Sequence, residues 1–318
     1  MPIKTTLLNR RGFMQLTSLV CAAGAVRPAL GQSPAPLSSK EFPIRIGRVV
    51  WVAKGQTADA VIGGVRELGL STCQIGFDDL SVKDVAPLHK ALHKYGVEVT
   101  AISEHNPGPR IFDFYHGPST IGIIPPATRD VRVKAMKVAA DVATLAGIPA
   151  IHAHCGFIPE DPNDPIYPQA VAVVKDVAAY CKERHLMLLC ETGQETPITM
   201  VRLIEDVKLG NVFVNLDVAN LILYGKGNPV DAMDVFGDRV RGIHAKDGHF
   251  PTNPRNLGTE TAIGKGKVDF PGVFRQLKKA NYTGSMMIER EIGNEEDRRR
   301  DILHSKALLE KLIAETYS

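Results

Sequence analysis

The chain has 318 residues, 44% of them hydrophobic and 23% charged, an ordinary globular composition that excludes a disordered, collagen-like or coiled-coil protein. Basic side chains number 38 against 35 acidic ones, a net charge of only +3 with no basic stripe, so no nucleic-acid partner is expected. Mean hydropathy is near zero and no apolar run reaches the ~18 residues of a membrane span, which excludes a multispanning membrane protein.

Residues 1–31 read as a twin-arginine signal peptide. Asn9-Arg10-Arg11-Gly12-Phe13-Met14-Gln15 carries the paired arginines, an apolar stretch runs from Leu16 to Val26, and Ala29-Leu30-Gly31 sets small residues where a signal peptidase reads. Residues 32–43 then form a Pro/Ser-rich linker, and residues 44–318 the folded body, delivered to the periplasm or otherwise exported. This route carries proteins already folded and often loaded with a cofactor. Phosphorylated sugars are scarce outside the cytoplasm, so the substrate expected is not phosphorylated. Cys21 leaves with the signal. Cys73, Cys155, Cys181 and Cys190 form no C-x-x-C pair and read mostly as small buried hydrophobes.

Past the linker, short β-rich runs alternate with segments of helical period. Strands are expected at Ile44–Trp51, Thr72–Phe77, Val97–Ser103, Ala150–His154, Leu186–Glu191, Val212–Asp217, Val240–Lys246 and Ser285–Glu289. Helices are expected at Thr57–Leu68, Val82–Tyr95, Arg129–Ala146, Pro168–Arg184, Thr196–Val207 and Asp297–Ala314. Asp59, Ser81, Asp130 and Thr196 mark helix starts, and Gly69, Gly96, Gly147 and Gly210 mark helix ends. Eight βα units in one domain predict a single (β/α)8 TIM barrel. The rival, a doubly wound sheet, lacks its G-x-G-x-x-G after the first strand.

Barrel chemistry sits where the strands end. The last four strands deliver Glu191, Asp217, His244 and Glu289, each after an apolar run. A carboxylate ending a buried strand is costly without compensation, and three on one barrel mouth repel each other. One divalent metal ion resolves the conflict. Three carboxylate oxygens and an imidazole suit Mn²⁺, Mg²⁺, Co²⁺ or Zn²⁺ and leave coordination positions open for substrate. In the fourth strand His154 is assigned to the mouth and His152 to packing against a helix.

Cys190-Glu191-Thr192, Asn215-Leu216-Asp217-Val218-Ala219-Asn220, Ile243-His244-Ala245-Lys246-Asp247 and Gly264-Lys265-Gly266-Lys267-Val268-Asp269-Phe270 resemble the sugar phosphate isomerase/epimerase superfamily, the xylose isomerase-like TIM barrels. The resemblance spans roughly residues 44–315. It implies that Glu191 and Glu289 bind metal and also transfer protons, with Asp217 and His244 as plain ligands. Asn220 stands where the epimerases and endonuclease IV usually carry a histidine, and it joins the substrate contacts. That departure, the near-neutral charge and the export signal all argue against an endonuclease IV-like hydrolase.

The reaction expected is isomerisation or epimerisation of a keto sugar or polyol derivative through an enediolate. Loss of a β-substituent from the same intermediate would instead make the enzyme a lyase or dehydratase, and a sugar-binding barrel without turnover is the non-enzymatic rival. His154, Lys246, Glu104, His105 and Trp51 are the further substrate contacts expected, and Phe77 beside Trp51 reads either as a second wall or as core filling. Glu291 is a rival metal ligand. Such barrels often pair into homodimers or homotetramers.

Overall fold

A computed structural model describes residues 43–104 and 107–318. The expected signal peptide and the expected linker up to residue 42 lie outside the described residues, as does His105. The barrel strands are β1 (Arg45–Val52), β2 (Thr72–Phe77), β3 (Glu98–Ser103), β4 (Ala150–His154), β5 (Met187–Glu191), β6 (Val212–Asp217), β7 (Val240–Ala245) and β10 (Ser285–Ile288). They are parallel and close in the order β1-β10-β7-β6-β5-β4-β3-β2. The expected (β/α)8 barrel is therefore the fold observed. The expected strands differ from these by at most one residue at either end.

The helices are α1 (Ala58–Glu67), α2 (Val85–Tyr95), α3 (Gly117–Thr120), α4 (Arg129–Ala146), α5 (Tyr167–Lys182), α6 (Pro197–Val207), α7 (Asn220–Leu223), α8 (Pro229–Phe236), α9 (Phe270–Lys279) and α10 (Glu295–Tyr317). Thr196 caps α6 by accepting from Thr199 N. Gly96 and Gly147 take the left-handed conformation that ends α2 and α4. Elsewhere the boundaries need correction. Thr57 and Thr128 take the cap positions of α1 and α4, placing Asp59 and Asp130 in the first turns. Ser81 precedes a short 3-10 turn, and α6 ends at Lys208 in the left-handed region, two residues before Gly210.

Strand side chains alternate between two environments. Ile75, Ile102, Ile151, Leu188, Val214, Ile243 and Met286 face the helices and join the main apolar core. The opposite faces fill the barrel. Ala101, Ala150 and Leu189, with Met187 and Phe213, plug its lower part. Polar side chains occupy the layers above, where the strands end.

Two features frame the mouth. A short antiparallel hairpin, β8 (Asp247–His249) and β9 (Thr259–Thr261), follows β7. Its first residue anchors the segment that leads to α9. The buried Asp247 carboxylate accepts from the backbone N–H groups of Gly248 at 2.8 Å, Gly264 at 2.9 Å, Gly266 at 2.9 Å and Val268 at 3.1 Å. A Cβ on Gly266 would fall 2.1 Å from Asp247 Oδ1, so only glycine fits there. The G-x-G-x-V-D segment is thus a cradle for one carboxylate. On the other side, the fully buried Arg132 donates to the carbonyls of Pro107 (2.9 Å), Pro109 (2.8 Å) and Gly122 (2.7 Å), fixing the long loop after β3.

Candidate active site

The mouth holds a cavity of about 620 Å³ whose lining includes Glu104, Arg110, His154, Tyr224, Lys246 and Glu289. At its floor, ligand atoms of Glu191, Asp217, His244 and Glu289 all lie within 4.8 Å of one another. The four residues expected together are brought together. Glu191 and Asp217 end β5 and β6. His244 sits one position before the end of β7, and Glu289 immediately follows β10. His244 Nδ1 lies 3.3 Å from Glu191, 3.5 Å from Glu289 and 3.9 Å from Asp217.

Two of these atoms, Asp217 Oδ2 and His244 Nδ1, are buried without a hydrogen-bond partner among the described residues. Buried polar atoms are rarely left so. Both face the same point as the two glutamates. That donor set of three carboxylates and one imidazole fits a divalent cation in chemistry and spacing.

The surroundings fix each donor. His244 Nε2 meets Gln74 Oε1 at 2.7 Å, and Gln74 Nε2 donates to Asn215 Oδ1 at 3.0 Å. The imidazole thus carries its proton on Nε2 and turns Nδ1 toward the carboxylates. Gly242 allows the relay to pass, because a Cβ there would fall 2.2 Å from Asn215 Oδ1. Asn220 Nδ2 donates to Glu191 Oε1 at 3.0 Å, while His152 Nε2 reaches Glu191 Oε2 at 2.9 Å. His154 Nε2 stands 3.4 Å from the same oxygen.

His152 corrects an expectation. It does not pack against a helix but points into the site, with Ser103 Oγ 3.1 Å from its Nδ1. Residues 152 and 154 are two apart on one strand, so they share a face. His152 itself can complete a second grouping with Glu191 and His244.

Lys246 is buried at the mouth. Its ammonium donates to Glu289 at 3.0 Å and Glu291 at 2.5 Å, and lies 3.7 Å from Asp217. Glu291, the rival ligand, is largely exposed and engages Lys246 from the rim. Glu104 lines the cavity, whereas Trp51 does not; it lines a neighbouring one with Phe77.

The charges push the acids apart. Burial drives the Asp217 carboxyl well up, opposed by Lys246 and reinforced by Glu289 and Glu191. Burial also opposes charge on Glu289, but Lys246 and His244 hold it low. Glu191 is held low by His154, His244 and His152 in the same way. Against their own burial, His244 and Lys246 are raised by the carboxylates around them.

Gln74, Asn215 and Ser103 complete the site beyond the residues singled out from sequence, joined by His152, which the sequence reading turns away from it. The usable signal was a glutamine and an asparagine in buried strands at positions that alternation directs inward.

The sequence profile of the xylose isomerase-like TIM barrel family matches residues 64–312. The crystal structure of a xylose isomerase domain protein from Planctomyces limnophilus is 29% identical, with a TM-score of 0.79 over 86% of this chain and 99% of that one. An L-ribulose 3-epimerase structure superposes with a TM-score of 0.68 at 16% identity, over 86% of this chain and 96% of that one. Inosose dehydratase of Clostridium botulinum (strain Eklund 17B / Type B) is 28% identical over 112 residues, which is 31% of this chain and 37% of the relative. The match to SgbU of Escherichia coli (strain K12), 39% over 75 residues, is 23% of this chain and 26% of that one; the chain thus spans only 26% to 37% of the length of these curated relatives.

Proposed function

The chain belongs to the xylose isomerase-like TIM barrel family, and from that premise we propose that it is a divalent-metal-dependent isomerase or epimerase acting on a non-phosphorylated keto sugar or polyol derivative. The observation that carries this reading is the convergence of Glu191, Asp217, His244 and Glu289, with two of their buried atoms left without a hydrogen-bond partner among the described residues. A bound divalent ion would supply a Lewis acid that polarises the substrate carbonyl and acidifies the neighbouring C–H.

The chain's own residues then divide the work. Glu191, oriented by His152 and Asn220, and Glu289, oriented by Lys246, form the acid/base pair. One removes the proton from carbon. The other returns it on the opposite face for epimerisation, or at the adjacent carbon for isomerisation. Lys246 offers its ammonium to the oxygen on which charge develops. His154 and Glu104 contact the substrate hydroxyls from the cavity wall. Asn220, which donates to Glu191, joins this set. A twin-arginine signal, as read from Asn9-Arg10-Arg11-Gly12-Phe13-Met14-Gln15, would export the enzyme and favour a substrate without phosphate.

A second reading shares the first step. Expulsion of a β-substituent after proton removal would give a lyase, and the inosose dehydratase relative favours keeping it.

Elemental analysis of the purified protein should find about one divalent ion per chain. Glu289→Gln should retain that ion and lose at least ~100-fold in turnover of a keto sugar. Protein that takes up no Mn²⁺ or Zn²⁺ would remove the mechanism and leave a sugar-binding barrel. Two or three zinc ions per chain would favour hydrolysis.

A further inference from the structure

A second cavity, of about 290 Å³, lies beside the first at the ends of β1 to β3. Trp51, Phe77, Asp79 and Leu80 line it, and Glu104 and Arg110 line both cavities. The two spaces therefore share a wall. The first cavity already falls within the ~300–1,000 Å³ that accommodates drug-sized ligands, so the pair has room for more than one monosaccharide.

The second cavity has a built aromatic wall. Trp51 is the chain's single tryptophan. A Cβ on Gly76 would fall 1.6 Å from its ring, so the indole lies across bare backbone of β2. Its Nε1–H donates to Asp78 Oδ1 at 2.5 Å, and the other oxygen of Asp78 accepts from Lys54 N at 2.8 Å. Glycine in the middle of a fully buried strand is otherwise unfavourable. Here it makes space for a fixed, flat, apolar surface. Carboxylates (Asp79, Glu104) and a guanidinium (Arg110) border that surface. An aromatic face with hydrogen-bonding groups at its margin recognises a sugar ring, whose C–H faces stack while its hydroxyls pair with the charged groups.

We propose that this cavity is a subsite for a second ring of the substrate, a glycosyl group attached to the sugar held at Glu191, Asp217, His244 and Glu289. The proposal rests on reading that cluster as the sugar site. It makes the preferred substrate a ketose disaccharide or related keto-glycoside rather than a free monosaccharide.

Because Trp51 is the sole tryptophan, its emission reports on this subsite directly. The Mg²⁺-loaded protein is titrated with D-fructose and with the glucosyl-fructoses turanose, maltulose and isomaltulose, by calorimetry and tryptophan fluorescence in parallel. At least one disaccharide should bind about tenfold tighter than fructose and shift or quench Trp51 emission saturably. Trp51→Phe should keep that preference within about threefold, and Trp51→Ala should abolish it. Disaccharides that bind no tighter than fructose, or that bind without altering Trp51 emission, overturn the subsite while leaving the metal-site reading intact. Methyl α-glucoside, which has no carbonyl to present to a metal, separates the two in the other direction. If it alone shifts the emission saturably and no ketose binds, the subsite stands and the ketose reading falls. No saturable response to any of these sugars overturns both.

Discussion

Gln74 Nε2 is committed to Asn215 Oδ1, so Gln74 Oε1 faces His244 and fixes which imidazole nitrogen is left bare. Replacing it with leucine should weaken metal binding ~10–100-fold. Gln74→Glu, which still accepts from Nε2, should bind nearly as well as the parent, because Asn215 can turn toward the new carboxylate its Nδ2, which has no partner among the described residues. Competition against a chelator measures both; equal loss in the two variants would mean that position 74 only packs. Glu195 supplies a different test. Neither carboxylate oxygen has a geometrically sound partner among the described residues, and burial pushes the group up from 4.5 to about 8. A folded state that keeps the Glu195 proton where the unfolded chain gives it up should lose this group's contribution to stability as pH rises from 4.5 toward 8. Glu195→Gln should flatten that slope and be more stable than the parent at pH 8, by ~1–3 kcal/mol in denaturant titrations. The four clustered residues were legible in sequence because each ends an apolar strand. The relay behind them was not, since a lone glutamine or asparagine in a strand does not say which distant strand it meets.

At the scale of elements, the barrel strands were readable because each is a short apolar run closed by turn residues. The hairpin was not, because Asp247–His249 and Thr259–Thr261 are three-residue strands too short to carry a pattern. Its motif was recognised without its cause. The glycines at 264 and 266 serve one buried carboxylate, which is a structural duty. Gly266→Ala should therefore cost about 1–3 kcal/mol by forcing backbone apart, seen as a lower thermal midpoint. Unchanged stability would mean that the segment yields freely. The histidines of β4 give the opposite lesson. Strand periodicity was the correct tool, and counting it by two assigns both His152 and His154 to the site.

For the whole molecule, the proposed ion ties together β5, β6, β7 and the residue after β10, half of the barrel's circumference. Binding to the folded state alone stabilises it by ~4 kcal/mol at a thousandfold excess over Kd. Chelated protein should accordingly unfold several degrees lower, with the deficit restored by one equivalent of ion per chain. A midpoint indifferent to chelator would contradict the ligand set. A second long-range tie needs no ion. Asp247 binds backbone 17 to 21 residues further along the chain, so its carboxylate closes a loop much as a cross-link would. The entropy of closing such a loop depends only weakly on its length. The amide protons of Gly248, Gly264, Gly266 and Val268 should then exchange with solvent at a common slow rate, and Asp247→Asn should release them together.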